Sequence, residues 1–252
     1  RLPNLVKVSI QLTQKEDKIS LPEKYSPKLQ TFIIKSLRTS SDKTVAIPSA
    51  LPLNLNELKI LRHGLTGNID VIYRLVNLRH IDFQNNMLEG VISNNISKLS
   101  NLVHLELDTN KMSGKIPSSL GLLTKLTVLN LQNNHFSVIL PQQLDNMLDL
   151  KQLDLAMNKF NGTMPQSFGA LTSLSRLTVN NNMFSGKIPS SLGLLTKLEL
   201  LKLDNNQFSG ILPKTIGNLI NLKCLSLNDN KINGTMPYEY SALTSLTYLN
   251  LE

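Results

Sequence analysis

The chain has 252 residues, a formal net charge of +8 and 41% hydrophobic residues. Its one cysteine, Cys224, excludes a disulfide framework within the chain, and no apolar run reaches the roughly 20 residues of a transmembrane helix. The basic excess is compatible with nucleic-acid binding, but the dispersed lysines and the lack of an aromatic stacking surface argue against it.

The first third of the chain predicts three strands whose inward side chains are spaced by three and then two residues. These side chains are Leu5, Val8 and Ile10; Leu29, Phe32 and Ile34; and Leu55, Leu58 and Ile60. All twelve glycines lie at or after Gly64. Because early turn glycines are missing, the connections around residues 15–28 and 36–52 are predicted to be irregular loops.

From there on, asparagine recurs every 24 residues within the frame apolar-x-x-apolar-x-apolar-x-x-Asn-x-apolar. The recurring positions are Asn86, Asn110, Asn134, Asn158, Asn182, Asn206 and Asn230. A fixed period of this length predicts a stack of identical units. Each unit contributes one short strand, and neighbouring strands pair in parallel at roughly 4.8 Å.

Each recurring asparagine follows a strand, where the backbone turns inside the stack and loses its strand partners. Leaving one such group buried and unpaired costs on the order of 1–3 kcal/mol. An asparagine side chain carries both a donor and an acceptor. The seven amides are therefore predicted to form a structural ladder, in which each serves its own turn and the neighbouring one.

A second pattern follows the asparagine, as in Asn182-x-Phe184-Ser-Gly186-x-Ile-Pro189-x-x-Leu-Gly-x-Leu-x-x-Leu198. This pattern resembles the plant-type leucine-rich repeat, which forms the ectodomains of plant receptor kinases, receptor-like proteins and polygalacturonase inhibitors. The resemblance is strong from about residue 78 to the end, and His63 replaces the asparagine one repeat earlier.

The resemblance implies a right-handed α/β-repeat solenoid with a concave parallel β-sheet, short second strands and a convex side of 3₁₀ or irregular structure. We expect one solenoid over residues 1–252, irregular over 1–54 and regular over 55–252, with about ten repeats of 23–26 residues and a truncated one. Neither end carries a polar cap, so we expect a fragment of a longer protein.

Side chains that alternate with the inward leucines are predicted to line the concave face and to bind the ligand. The candidates are His80, Asp82, His104, Glu106, Asp108, Asn130, Gln152, Asp154, Arg176, Thr178, Lys202 and Tyr248. The cluster from His80 to Asp108 is the densest. Its chemistry also allows a divalent metal site or a pH sensor, but an exposed flat sheet favours a solvated charge patch.

The motifs of hydrolases, P-loop enzymes and zinc proteases are absent, so we predict a non-catalytic protein without metal or cofactor. The resemblance implies a secreted or cell-surface domain that binds a protein or peptide ligand, with a co-receptor as a further partner. An acidic polysaccharide is an alternative partner, and any membrane attachment would lie in flanking segments. Glycosylation is predicted at Asn95, Asn161 and Asn233.

Two other functions remain open from the sequence. The repeat number and basic charge are compatible with a secreted inhibitor of a wall-degrading enzyme, which would slow polygalacturonase. Repeated Asn and Thr residues are compatible with an ice-binding or structural protein, although the irregular concave positions argue against the flat array that such a surface needs.

Overall fold

A computed structural model describes residues 3–12, 25–36 and 45–251 of the chain. The predicted irregular loops fall largely outside these described ranges. Within the described part of the second loop, Val45–Ala46 forms a strand, because its backbone pairs with Leu65 and Thr66. The division into an irregular first part and a regular second part stays a prediction.

The concave side is one parallel sheet of eleven strands that follow each other in chain order. Its strands are Lys7–Leu12, Thr31–Ser36, Glu57–Leu61, His80–Asp82, His104–Glu106, Val128–Asn130, Gln152–Asp154, Arg176–Thr178, Leu200–Lys202, Cys224–Ser226 and Tyr248–Asn250. They lie where the leucine pattern predicts them, and the expected concave parallel sheet is confirmed.

Shorter strands form two further parallel sheets beside the concave one. The three-stranded sheet contains Val45–Ala46, Leu65–Gly67 and Met87–Leu88, and the six-stranded sheet contains Ser113–Gly114, His135–Val138, Lys159–Thr163, Met183–Gly186, Gln207–Ile211 and Lys231–Asn233. These are the predicted short second strands.

The convex side consists of short 3₁₀ helices, as expected. They span Asp70–Arg74, Asn94–Lys98, Ser118–Leu122, Gln142–Asn146, Gln166–Ala170, Ser190–Leu194, Lys214–Asn218 and Tyr238–Ala242. Neighbouring helices approach closely at glycine. A Cβ atom at Gly193 would lie 2.3 Å from the carbonyl oxygen of Thr215, so only glycine fits there without moving the backbone.

The core runs without interruption along the stack, because each repeat buries its leucines against those of the next repeat. Phenylalanine forms a second buried column. The rings of Phe136, Phe160, Phe184 and Phe208 are fully buried and stacked, with neighbouring centroids 6.1–6.3 Å apart. These offset contacts add packing energy to the burial of the rings.

The seven recurring asparagines bridge adjacent repeats through hydrogen bonds. The Asn134 amide donates to the carbonyl of Leu131 in its own repeat at 3.2 Å and to Leu107 in the preceding repeat at 3.0 Å. Its oxygen accepts from the Met112 amide at 3.0 Å. The same arrangement recurs at the other six positions, which are Asn86, Asn110, Asn158, Asn182, Asn206 and Asn230.

Val138 occupies a backbone position that glycine fills in the other repeats of the six-stranded sheet. Its φ is 72°, and the equivalent glycines at 114, 162, 186, 210 and 234 have φ values of 73–86°. A β-branched residue is strained in this region.

We therefore expect Val138→Gly to raise the free energy of unfolding by about 1 kcal/mol, because glycine adopts this φ without steric conflict. Urea denaturation measures the change. The matched control is Gly210→Val, which places the same side chain at the equivalent position three repeats later and is expected to destabilise. A loss of stability in Val138→Gly would show that the valine contributes more by packing than it costs in strain.

Candidate functional site

The side chains of the concave face stand in rows because equivalent strand residues are paired in register. The central row contains Asp82, Glu106, Asn130, Asp154 and Thr178, each paired with the next. The preceding row starts with His80 and His104, which are also paired. Adjacent strands lie about 4.8 Å apart, so neighbours within a row are close enough to share one ligand.

The two histidines stack on each other. Their ring centroids are 4.6 Å apart and their planes differ by 11°. The pKa of each imidazole is lowered, chiefly by burial, and the charge of Lys59 acts on both in the same direction. Both rings therefore stay neutral at lower pH than a free histidine does, and a neutral ring offers one nitrogen acceptor and one N–H donor.

Three carboxylates lie beside this pair, and we call Asp82, Glu106 and Asp108 the acidic cluster. Asp82 is only 7% exposed and accepts hydrogen bonds from the Gln84 amide at 3.3 Å and the Gln84 Nε2 at 3.2 Å. Asp108 accepts from Asn130 Nδ2 at 3.0 Å. The cluster is thus held in place by neutral donors.

The pKa of all three carboxyl groups is raised, and burial is the largest cause in each case. The effect is greatest at Asp108, where burial and then the neighbouring charge of Asp82 raise the pKa from 3.8 to about 6. Mutual repulsion adds to burial because Asp82 and Asp108 also raise the pKa of Glu106. Strongly shifted groups of this kind are typical of functional sites.

The shift at Asp108 predicts a pH-dependent stability. Between pH 3.8 and about 6 the folded chain holds a proton that the unfolded chain has released. The free energy of unfolding contributed by Asp108 therefore falls as the pH rises through this window, and the loss is complete above it.

Asp108→Asn is expected to raise the free energy of unfolding at pH 7 by about 1 kcal/mol, after allowance for partial exposure to solvent. It should also flatten the decline between pH 4 and about pH 6. Urea titrations across this pH range measure both effects. The control Asp149→Asn removes the same charge from an exposed position outside the sheet. An equal gain in both variants would assign the effect to net charge alone.

The remaining predicted residues spread along the same face. Gln152 and Arg176 are exposed, Asp154 and Lys202 are half-buried, and Tyr248 is 51% exposed. Tyr248 stands six strands from His104, about 29 Å at the usual strand spacing, so it does not join the acidic cluster.

Thr178 differs from the other side chains of the central row. It is only 8% exposed, and its buried hydroxyl has no hydrogen-bond partner among the described residues. Its strand neighbours are Asp154 and Lys202. A buried hydroxyl without a partner is unfavourable, so this position has an unused capacity to bind a polar group.

The predicted site did not include Glu57 and Lys59, which border it. Lys59 Nζ forms an ion pair with Glu57 Oε1 at 2.9 Å, and the two residues are in register with His80 and Asp82. Their repeat is 23 residues long instead of 24, so counting by the main period misplaces them. Aligning the inward leucines instead would have revealed the register.

A metal site receives no support from this arrangement. Among the described residues, no group of three or more His, Cys, Asp or Glu side chains could hold a metal ion. The predicted glycosylation positions Asn95, Asn161 and Asn233 all have exposed side chains that lie outside the concave strands. Sugars at these positions would leave the concave face clear.

Two sequence models described as leucine-rich repeats match the chain, one over residues 124–184 and 196–252 and the other over residues 77–99 and 101–123. Together these matches cover more than half of the chain. The chain belongs to the leucine-rich-repeat family. No curated protein sequence matches it significantly.

Solved structures with the same fold include plant leucine-rich-repeat ectodomains. The ectodomain of the Arabidopsis thaliana receptor kinase GASSHO1/SCHENGEN3, in complex with CASPARIAN STRIP INTEGRITY FACTOR 2, is 30% identical with a TM-score of 0.85 over 99% of this chain. The ectodomain of the Arabidopsis receptor kinase HAESA, in complex with an IDA peptide hormone ligand, is 28% identical with a TM-score of 0.83 over 99%. A TDR receptor is 29% identical with a TM-score of 0.84 over 89%.

This leucine-rich-repeat chain spans only part of those relatives: 33% of the GASSHO1/SCHENGEN3 chain, 42% of the HAESA chain and 39% of the TDR chain. The likeness identifies it as a repeat of the plant type. In the described residues no helix has both the length and the hydrophobicity required to cross a lipid bilayer.

Proposed function

We propose that this chain is the ligand-recognition part of an extracellular receptor-like protein, and that it binds a peptide or protein across the concave sheet. The observation that carries the proposal is the sheet itself. Eleven parallel strands present polar side chains in registered rows, backed by a continuous core. A ligand that lies across the strands can contact one side chain from each repeat.

The packing behind the sheet favours tight recognition. The inward leucines of the concave strands are fully buried from Leu58 to Leu225, and the asparagine ladder fixes each turn at the end of its strand. A rigid face loses little conformational entropy when it binds a ligand. The side chains above it supply shallow polar contacts, as in many transient protein interfaces.

The solved relatives support the same proposal from outside the chain. The printed descriptions of two of them name a bound partner, one of which is a peptide hormone. A co-receptor would be a further partner in this scheme. An extracellular location agrees with the exposed asparagines at the three glycosylation motifs.

The experiment uses a displayed library of random peptides, from which binders of this chain are selected. Asn130→Trp places a bulky side chain in the middle of the concave face, and we expect it to weaken the selected peptides by about ten-fold or more. Gln143→Trp, on the exposed convex side, is the matched control and should leave their affinity unchanged.

Equal binding by the two tryptophan variants would overturn the proposal. So would a loss of binding that is confined to Gln143→Trp, because it would place the interface on the convex side. A polygalacturonase assay tests the inhibitor function separately, since only an inhibitor slows that enzyme.

A further inference from the structure

The acidic cluster carries negative charge that the protein itself does not neutralise. Among the described residues, none of its carboxylates forms an ion pair, and the nearby Lys59 is already paired with Glu57 at 2.9 Å. The hydrogen bonds to Asp82 and Asp108 come from the neutral side chains of Gln84 and Asn130. Half-buried carboxylates without a cation leave a strong local field that favours a positive ligand group.

The stacked histidines form one border of this cluster. His80 and His104 precede Asp82 and Glu106 by two residues on the same strands, so the rings and carboxylates project from the same face. Neutral imidazole nitrogens can accept a hydrogen bond, as the carboxylates do. The four strands from Glu57 to Asn130 thus surround the cluster with acceptors, and its one neighbouring cation is paired elsewhere.

The unpaired Thr178 hydroxyl is an independent indication of a ligand on the same row. It is a buried polar group on the concave face without a partner among the described residues. From Asp82 to Thr178 there are four strand intervals, about 19 Å, which an extended peptide of about six residues spans. A peptide backbone offers both the donors and the acceptors that a hydroxyl can bind.

We propose that the concave face binds a basic peptide in an extended conformation, with an arginine or lysine side chain on Asp82, Glu106 and Asp108 and a backbone group on the Thr178 hydroxyl. This inference rests on the proposed function and adds the chemistry of the ligand. Arginine fits best, because its planar guanidinium donates several hydrogen bonds at once to carboxylates. An acidic polysaccharide would be repelled at this part of the face.

The test uses two synthetic peptides of about ten residues. They differ only in whether two positions, separated by one residue, carry arginine or glutamine. We expect the full chain to bind the arginine peptide about ten-fold more tightly than the glutamine peptide in calorimetry. The double variant Glu106→Gln, Asp108→Asn should lose this preference, with the affinity for the glutamine peptide unchanged.

Two further variants separate charge from shape. Asp149→Asn removes an exposed charge outside the sheet and should keep the preference for arginine. Thr178→Val keeps the size of the side chain but removes the hydroxyl, and we expect it to weaken both peptides by about three-fold. Circular dichroism confirms that each variant is folded.

Equal affinity for the two peptides would overturn the inference, as would an unchanged preference in the double variant. Absence of binding by both peptides up to about 1 mM would overturn it as well. These failures differ from failure of the proposed function. If library-selected peptides are blocked by Asn130→Trp but do not respond to the acidic substitutions, the concave face binds a ligand of another chemistry.

Discussion

Replacing Asn134 with alanine is expected to lower the free energy of unfolding by about 3 kcal/mol. The side chain is only 4% exposed, donates to carbonyls of two repeats and accepts from the Met112 amide at 3.0 Å. Alanine would leave all of these buried backbone groups without a partner. Urea denaturation followed by circular dichroism measures the loss.

The matched control is Asn180→Ala. Asn180 is half-exposed on the concave side, so the same substitution there should change the free energy of unfolding by less than about 0.5 kcal/mol. Similar losses in the two variants would mean that asparagine is favoured for its turn conformation and that the buried hydrogen bonds contribute little.

Phe184→Ala should be at least as damaging, with an expected loss of about 4 kcal/mol. The ring is fully buried between Phe160 and Phe208, with both centroid distances at 6.1 Å. Its removal leaves a cavity between two neighbouring repeats, which the backbone cannot close because the strands on either side are paired. Phe184→Leu retains most of the volume and should cost about 1 kcal/mol.

Hydrogen exchange distinguishes a local from a global effect of this substitution. In a stack, each repeat contacts only its neighbours, so protection should fall first in Lys159–Thr163 and Gln207–Ile211. Glu57–Leu61 lies several repeats away and should keep its protection until global unfolding. A uniform loss along the whole chain would contradict the picture of additive repeats.

Both substitutions also bear on the proposed function. The ladder and the phenylalanine column hold adjacent repeats at a fixed separation, and that separation sets the distance between side chains on the concave rows. A loosened stack would still carry the same residues but would present them with more conformational freedom, which weakens binding.

Net charge and local charge point in different directions in this protein. The overall value of +8 led to the expectation of an acidic partner as an alternative. The concave cluster at Asp82, Glu106 and Asp108 is negative, and its field acts on a bound ligand at short range. Only the register of the strands reveals this, because the three residues are scattered among basic ones in the sequence.

The sequence by itself determined the architecture. The spacing of leucines and of the seven asparagines specifies which side chains turn inward, and a repeat that cannot bury its apolar face alone must stack on the next one. The same spacing named the concave residues, because strand side chains alternate between the two faces. Where the period changes to 23 residues, near Glu57 and Lys59, the pattern no longer placed them correctly.

Only the tertiary structure decided how those residues meet. The contact between His80 and His104, the raised pKa of Asp108 and the unpaired hydroxyl of Thr178 all depend on what neighbouring strands place around each group. Burial and partner distance are properties of the packed stack and not of any one repeat. The strain at Val138 likewise became visible only as a backbone angle, since valine itself is an ordinary strand residue.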